Sequence, residues 1–220
     1  MKLGLLDVLY PRVCALCDGR IEGAGTGFCG ACDGALEWIV PPACPRCGAG
    51  RPGTACGECV GKEFAFAGAT ALGRYEGRLR EAVLRLKFRG GRHLADDFGR
   101  RLAARVAKRA DLVAPVPMSR WKLLARAYNP AELVAERLAR HGGLPFARRA
   151  LRKVRRTRAQ SELALEERLV NPRGAYRARR VRGVVLLVDD VLTTGATANA
   201  CTEALRAAGA SEVHLAVIAR

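Results

Sequence analysis

Residues 184–200 read VVLLVDDVLTTGATANA. The β-branched and aliphatic run before the acids has the composition of a strand buried on both faces of a parallel sheet. Such a strand delivers Asp189 and Asp190 at its carboxyl end, and Thr193, Thr194, Gly195, Ala196 and Thr197 then turn the chain into a helix. The backbone N–H groups of that turn, with the open helix N-terminus, form a cradle for a dianionic phosphate. The threonine hydroxyls add donors, and Gly195 permits close approach. Two carboxylates one step earlier suit the hydroxyls of a ribose carried on that phosphate. The spacing therefore describes a ribose 5-phosphate, gripped by acids at one end and amides at the other.

Other uses of an acidic pair fit less well. A haloacid-dehalogenase-like phosphatase needs DxDxT, whereas these aspartates are adjacent; a receiver domain carries its acids early in the chain. Helix capping by Thr193 or Thr194 alone leaves both acids unexplained.

Around this segment, residues from 66 to 220 carry the pattern of an α/β domain. GATALGRY (68–75), DLVAPVP (111–117) and EVHLAVIA (212–219) predict further strands, and residues 78–88, 94–109 and 131–140 have helical apolar spacing. Asn129 is placed to cap the last of these helices, with Pro130 at its first position and Glu132 where a capping box has its acid. Gly209 is placed to stop a helix over 197–208. The sum is a doubly wound, mainly parallel sheet, and such sheets bind ligands at the carboxyl ends of their strands.

Residues 1–62 are different. Eight of the nine cysteines form four CxxC pairs, Cys14/Cys17, Cys29/Cys32, Cys44/Cys47 and Cys56/Cys59. Two CxxC turns complete the tetrahedral four-sulfur shell that zinc favours, so two structural zinc ions are expected. Sequential ribbons, Cys14/17/29/32 and Cys44/47/56/59, are favoured over cross-bracing, although spacing alone leaves both open. Few other core residues are available (Leu16, Ile21, Phe28, Leu36, Trp38, Ile39), so metal must supply much of the folding free energy. The module serves either as a stapled cap on the larger domain or in nucleic-acid contact. GTGFCG (25–30) formally matches GxGxxG, but it follows no strand and opens no helix, which removes the dinucleotide reading.

The formal charge of +17 directs attention to anionic partners, namely phosphate backbones, anionic lipid or phosphorylated small molecules. The competing explanation is compositional, since arginine with abundant Ala, Gly and Leu also arises from a GC-rich genome. No apolar run is long enough to span a bilayer, and MKLGLLDVLY reads as a short amphipathic helix ending before Pro11. Membrane insertion is not expected. A reducing, cytoplasmic setting favours metal over disulfides.

DDVLTTGAT resembles the PRPP signature of type I phosphoribosyltransferases, and with the cysteine module in front the whole chain resembles the ComF family. LKFRGGRHLA (86–95), VAPVPMSR (113–120) and RRTRAQSELALEERLVNPRGAY (155–176) add to the resemblance. It implies a type I phosphoribosyltransferase-like domain behind a small N-terminal four-cysteine zinc-ribbon module. Asp189 and Asp190 would hold the ribose hydroxyls and serve as the catalytic acids, and Thr193 to Thr197 would hold the 5-phosphate. Pro117, Met118, Ser119 and Arg120 would approach pyrophosphate, with Mg²⁺ accompanying PRPP. Thr157, Gln160, Arg168 and Asn171 would lie in a mobile hood. One departure stands out. ComF-like proteins usually read RGFNQ where this chain has Arg126, Ala127, Tyr128, Asn129 and Pro130. Ala in the glycine place disfavours positive φ, and Pro for Gln removes an amide and a backbone donor.

Two activities follow. One is phosphoribosyl transfer from PRPP to an acceptor that no motif names. The other is handling of single-stranded DNA, because Arg148 to Arg158 and Arg173 to Arg182 are dense in arginine and phosphate contacts give affinity without sequence readout. Arg155, Arg156, Arg158, Gln160, Arg126 and Lys87 are the candidates for contacting a ligand under the hood or DNA. Trp121 and Tyr128 are the best-placed aromatics for stacking, and they are few. No helix-turn-helix segment supports a PRPP-sensing regulator. The resemblance links ComF-like proteins to natural transformation and implies competence helicase or recombination partners, so a role in DNA uptake and processing is the expected function.

Overall fold

The computed structural model of the chain describes residues 13–21, 27–50, 56–88, 90–106, 110–155 and 174–220. The helix expected before Pro11 and the hood residues Arg156, Thr157, Arg158, Gln160, Arg168 and Asn171 lie outside them.

In chain order the named elements are α1 (Gly30–Gly34), β1 (Gly68–Gly73), α2 (Gly77–Phe88), α3 (Leu94–Val106), β2 (Leu112–Pro115), α4 (Arg120–Arg126), α5 (Pro130–Gly142), β3 (Leu151–Lys153), β4 (Tyr176–Ala178), β5 (Val184–Val191), α6 (Ala196–Ala207) and β6 (Glu212–Ala219). Strands β1-β6-β5-β2 form one sheet in that order, and every pairing in it is parallel. The aliphatic run before the two acids is the interior strand β5. Its side chains alternate between two cores, as a strand's period of two dictates. Leu186 and Val188 face a core shared with α2, α3 and α5, while Val185 and Leu187 face one shared with α6 and the β3–β4 hairpin. Helices and hairpin thus cover both faces, which is why β5 carries no polar residue before Asp189.

Local signals set the helix ends. Asn129 Oδ1 accepts from the Ala131 N–H at 3.2 Å, Pro130 opens α5, and Asn129 Nδ2 donates to the Val116 carbonyl at 2.9 Å. Glu132 pairs with Arg148 at 2.6 Å. Helix α6 ends at Ala207, and Gly209 follows with φ +109°, a conformation that glycine adopts freely.

The cysteine module is seated on the larger domain. Leu16, Phe28 and Leu36 are buried in one core with Leu72, Leu79 and Phe98, and Phe28 meets Phe98 at 5.9 Å between ring centroids. Packing on the sheet domain therefore adds to what metal supplies for folding. Residues 37–39 cover the exposed edge of β1. The Ile39 N–H donates to the Leu72 carbonyl at 2.8 Å, and the Arg74 N–H donates to the Glu37 carbonyl at 2.8 Å. The Glu37 carboxylate accepts from the Arg78 and Leu79 N–H groups at 3.1 and 2.8 Å, capping α2 from outside. Arg101 stands over the Trp38 ring and pairs with Asp33 at 2.7 Å and with the buried Asp97 at 2.8 Å. Among the described residues no helix is long and apolar enough to cross a membrane.

Candidate functional site

The sheet's register brings the acids to its carboxyl edge. Pro115 pairs with Val188, the Val116 N–H donates to the Val188 carbonyl at 2.9 Å, and Asp189 pairs with Val217. Beyond Pro115 and Val191 the chain leaves the sheet, and between those exits opens a cavity of about 300 Å³. Ligand pockets of this size and place are those expected at the carboxyl ends of parallel strands.

Asp189 and Asp190 both line the cavity, as do Thr193, Gly195, Ala196 and Thr197. Gly195 is the N-cap of α6 with φ +84°, and a Cβ there would stand 2.8 Å from Phe64 Cε1, so both conformation and space call for glycine. Thr194 lies outside the lining; its hydroxyl accepts from the Ala196 N–H at 3.4 Å. Pro117, Met118 and Ser119 line the opposite wall. Arg120 does not, because Ser119 caps α4 there, accepting from the Lys122 N–H at 3.4 Å, and the helix presents Lys122 and Arg126 to the cavity.

The cavity is electrostatically mixed. The Lys87 ammonium stands 3.0 Å from Asp190 Oδ1, and the Asp190 N–H donates to Asp189 Oδ1 at 2.8 Å. Burial and the neighbouring Asp190 charge push the Asp189 carboxyl up to about 7, against the opposing pull of the Asp190 N–H and Lys87. Burial, then the Lys122 charge, holds Lys153 below the ordinary lysine value. Burial pushes the Tyr176 phenol up, with Cys201 and Asp189 adding to it.

Lys153 and Tyr176 line the cavity; Tyr176 closes the family-like stretch 155–176 and Lys153 lies in the basic run 148–158, but neither segment marks them as pocket residues. They sit opposite each other on the β3–β4 hairpin. Their strands are three residues long and interrupt an arginine-rich segment, so periodicity gives no signal. Helix α4 is not among the helices that apolar spacing predicts, because it buries no side chain and so shows no amphipathic stripe. Its last turn leads into Ala127 at φ +62°, the left-handed conformation that alanine disfavours.

The cysteines form two groups, Cys14/17/29/32 and Cys44/47/56/59, and within each all four sulfurs lie within 4.8 Å of one another. Cross-bracing is excluded by this grouping. Sulfur pairs stand at 3.7 Å (Cys17/Cys29), 3.6 Å (Cys47/Cys56) and 3.8 Å (Cys44/Cys59). A tetrahedron of thiolates about 2.3 Å from zinc has edges of about 3.8 Å. Both four-cysteine sites therefore fit a structural zinc ion. The segment leaving the second ribbon touches helix α6 directly. Asn199 of α6 accepts from the Ala65 N–H at 2.9 Å and donates to the Glu63 carbonyl at 3.1 Å.

Comparison with known proteins gives two domain matches in the same order. Residues 5–63 match the double zinc ribbon domain, and residues 123–220 match the phosphoribosyl transferase domain. Over 222 aligned residues the chain is 29% identical to Competence protein F of Haemophilus influenzae, covering 94% of this chain and 96% of that one. It is 29% identical to DNA utilization protein YhgH of Salmonella typhi, covering 96% and 97%. Competence protein ComFC of Bacillus subtilis is 24% identical, covering 86% of each chain.

Proposed function

We propose that this ComF-like chain, a double zinc ribbon joined to a phosphoribosyl transferase domain, handles incoming single-stranded DNA while binding a phosphoribosyl ligand in the β5–α6 pocket. The observation that carries the pocket half is that Asp189, Asp190 and the glycine-capped start of α6 line one cavity. A ribose 5-phosphate would set its hydroxyls against the acids and its phosphate against the N–H groups of residues 197 and 198 at the start of α6. The DNA half is supported by the formal charge of +17 and by relatives named for competence and DNA utilization.

A second reading, Mg²⁺-dependent phosphoribosyl transfer to an acceptor, is favoured by one feature. Lys87, Lys122, Arg126 and Lys153 all line the cavity, more cationic groups than a single phosphate requires. Transfer would break the bond between ribose C1 and the pyrophosphate oxygen and form one from C1 to the acceptor. The lysines and Arg126 would stabilise the departing pyrophosphate. Mg²⁺ arriving with PRPP would be held through Asp189 and Asp190 and would neutralise pyrophosphate charge.

Titration of the wild type and Asp190→Ala with Mg²⁺-PRPP and with an oligodeoxynucleotide tests both halves. The expected result is loss of PRPP binding and retention of DNA binding in the variant. A wild-type chain that binds neither ligand removes the proposal. PRPP consumption on adding nucleobases or other acceptors would select the transferase reading.

A further inference from the structure

Three features outside the pocket invite a role. Cys201 is a lone buried thiol, and the buried Thr202 hydroxyl has no hydrogen-bond partner but lines no part of the described cavity; neither goes further. The β3–β4 hairpin does.

Its two strands pair antiparallel with Leu151 opposite Ala178, Arg152 opposite Arg177 and Lys153 opposite Tyr176. Alternation sorts the faces. Leu151 and Tyr176 are buried toward α6 and Lys153 lines the cavity, while Arg152 and Arg177 are exposed on the outer side. Like charges directly opposite on a ladder cost stability, and a short two-stranded hairpin has little to spare. Around the pair, Arg149, Arg179, Arg180 and Arg182 are also exposed. Among the described residues none of these six guanidinium groups has a carboxylate within 4.0 Å, whereas Arg148 nearby is paired with Glu132. A merely solvated face of this charge would be expected to intersperse acids, as the helices do with Arg140 and Asp96.

Resting on the DNA reading above, we infer that the outer face of the β3–β4 hairpin is where a polynucleotide backbone docks, held by arginine–phosphate contacts without base readout. Arginine suits this because its planar fork binds phosphate oxygens in pairs. Bound phosphates offset the repulsion between Arg152 and Arg177. An anionic membrane fits less well. Among the described hairpin residues only Val154 is a large exposed apolar side chain, too little to insert. The hairpin separates this face from the cavity by one β-layer, with Arg152 outside and its neighbour Lys153 inside, so backbone and pocket ligand bind on opposite sides of the same two strands.

The test is anisotropy of a labelled oligodeoxythymidine across a salt series, for the wild type, Arg152→Gln/Arg177→Gln, and Arg74→Gln/Arg80→Gln on the far edge of the sheet with the same charge change. The hairpin variant is expected to bind roughly tenfold more weakly at physiological salt, with a slope of log K on log[salt] about 1.4 shallower. It should melt at or above the wild-type temperature, since a repulsion has been removed. The far-edge variant should bind like the wild type. Equal weakening in both double variants, or none in either, overturns the hairpin assignment and leaves the DNA reading standing. Wild-type chain that does not bind the oligonucleotide overturns the DNA reading itself. Phosphatidylglycerol vesicles that compete the oligonucleotide off, with a loss of vesicle binding confined to the hairpin variant, reassign the face to membrane.

Discussion

Lys87 Nζ stands 3.0 Å from Asp190 Oδ1, joining the last turn of α2 to the acidic pair at the end of β5 across the floor of the cavity. Both side chains are mostly buried, at 16% and 17% exposure, so the pair is shielded from the screening that makes surface ion pairs weak. Removing one partner leaves the other's charge stranded. Lys87→Met is therefore expected to raise the Asp189 midpoint above about 7, because Lys87 opposes that rise. Carboxyl-carbon NMR titration of wild type and variant measures it. The same variant should lose roughly tenfold in affinity for a ribose phosphate, the scale of one charged hydrogen bond.

Asp189 also gives stability a pH dependence whose sign is fixed by geometry. Burial beside Asp190 lifts its carboxyl from the ordinary 3.8 to about 7, so between those values the folded chain holds a proton that the unfolded chain has released. Its contribution is fully present below about 4 and is lost as pH rises through about 7, with a limiting slope of about 1.4 kcal/mol per pH unit. Denaturant unfolding of wild type and Asp189→Asn at several pH values should show the difference between them shifting against the wild type over that window. No change in that difference would show Asp189 to be solvated.

The zinc ribbons should report on the pocket. Residues 63–65 follow Cys59 and bond to Asn199, and Phe64 packs against Gly195 at the start of α6. Elemental analysis is expected to give two zinc ions per chain. Cys56→Ser/Cys59→Ser should bind one, unfold at lower temperature and lose phosphate-ligand affinity. Asn199→Ala should lower affinity while keeping both ions, which separates the linkage from the metal.

Ala127 occupies a left-handed position at the end of α4 where no side chain is favoured. Ala127→Gly relieves that strain at the expense of a more flexible unfolded chain, and a net gain of about 0.5–1 kcal/mol is expected from denaturant unfolding. A loss of stability would mean that the Ala127 methyl makes contacts worth more than the strain.

How much is legible in the sequence divides along physical lines. Strand β5, the threonine turn and the CxxC pairs announce themselves because burial on both faces, a helix start and metal ligation each demand particular residues at fixed spacing. The sulfur groups settle a pairing that spacing leaves open. Helix α4 and the pocket positions of Lys153 and Tyr176 are illegible for the opposite reason. An exposed seven-residue helix and three-residue strands bury too little to leave a periodic trace, and they reach the cavity only through tertiary packing. Lys87 is legible as part of a family-like stretch, but its partner Asp190, far along the chain, is not. Glycine's absence at position 127 suggests that a positive φ is disfavoured there; the backbone adopts it nonetheless, held by α4 on one side and the Asn129 cap on the other.

The two hydrogen bonds of Asn199 to residues 63–65 bear on any attempt to exchange parts between homologues. A chimaera that swaps the ribbon module at its last cysteine would cut along a graft line that the fold does not respect. The transplant should carry residues 63–66 with it and be matched by an asparagine at the recipient's position 199, so that the donor's metal module and the host's helix α6 stay joined.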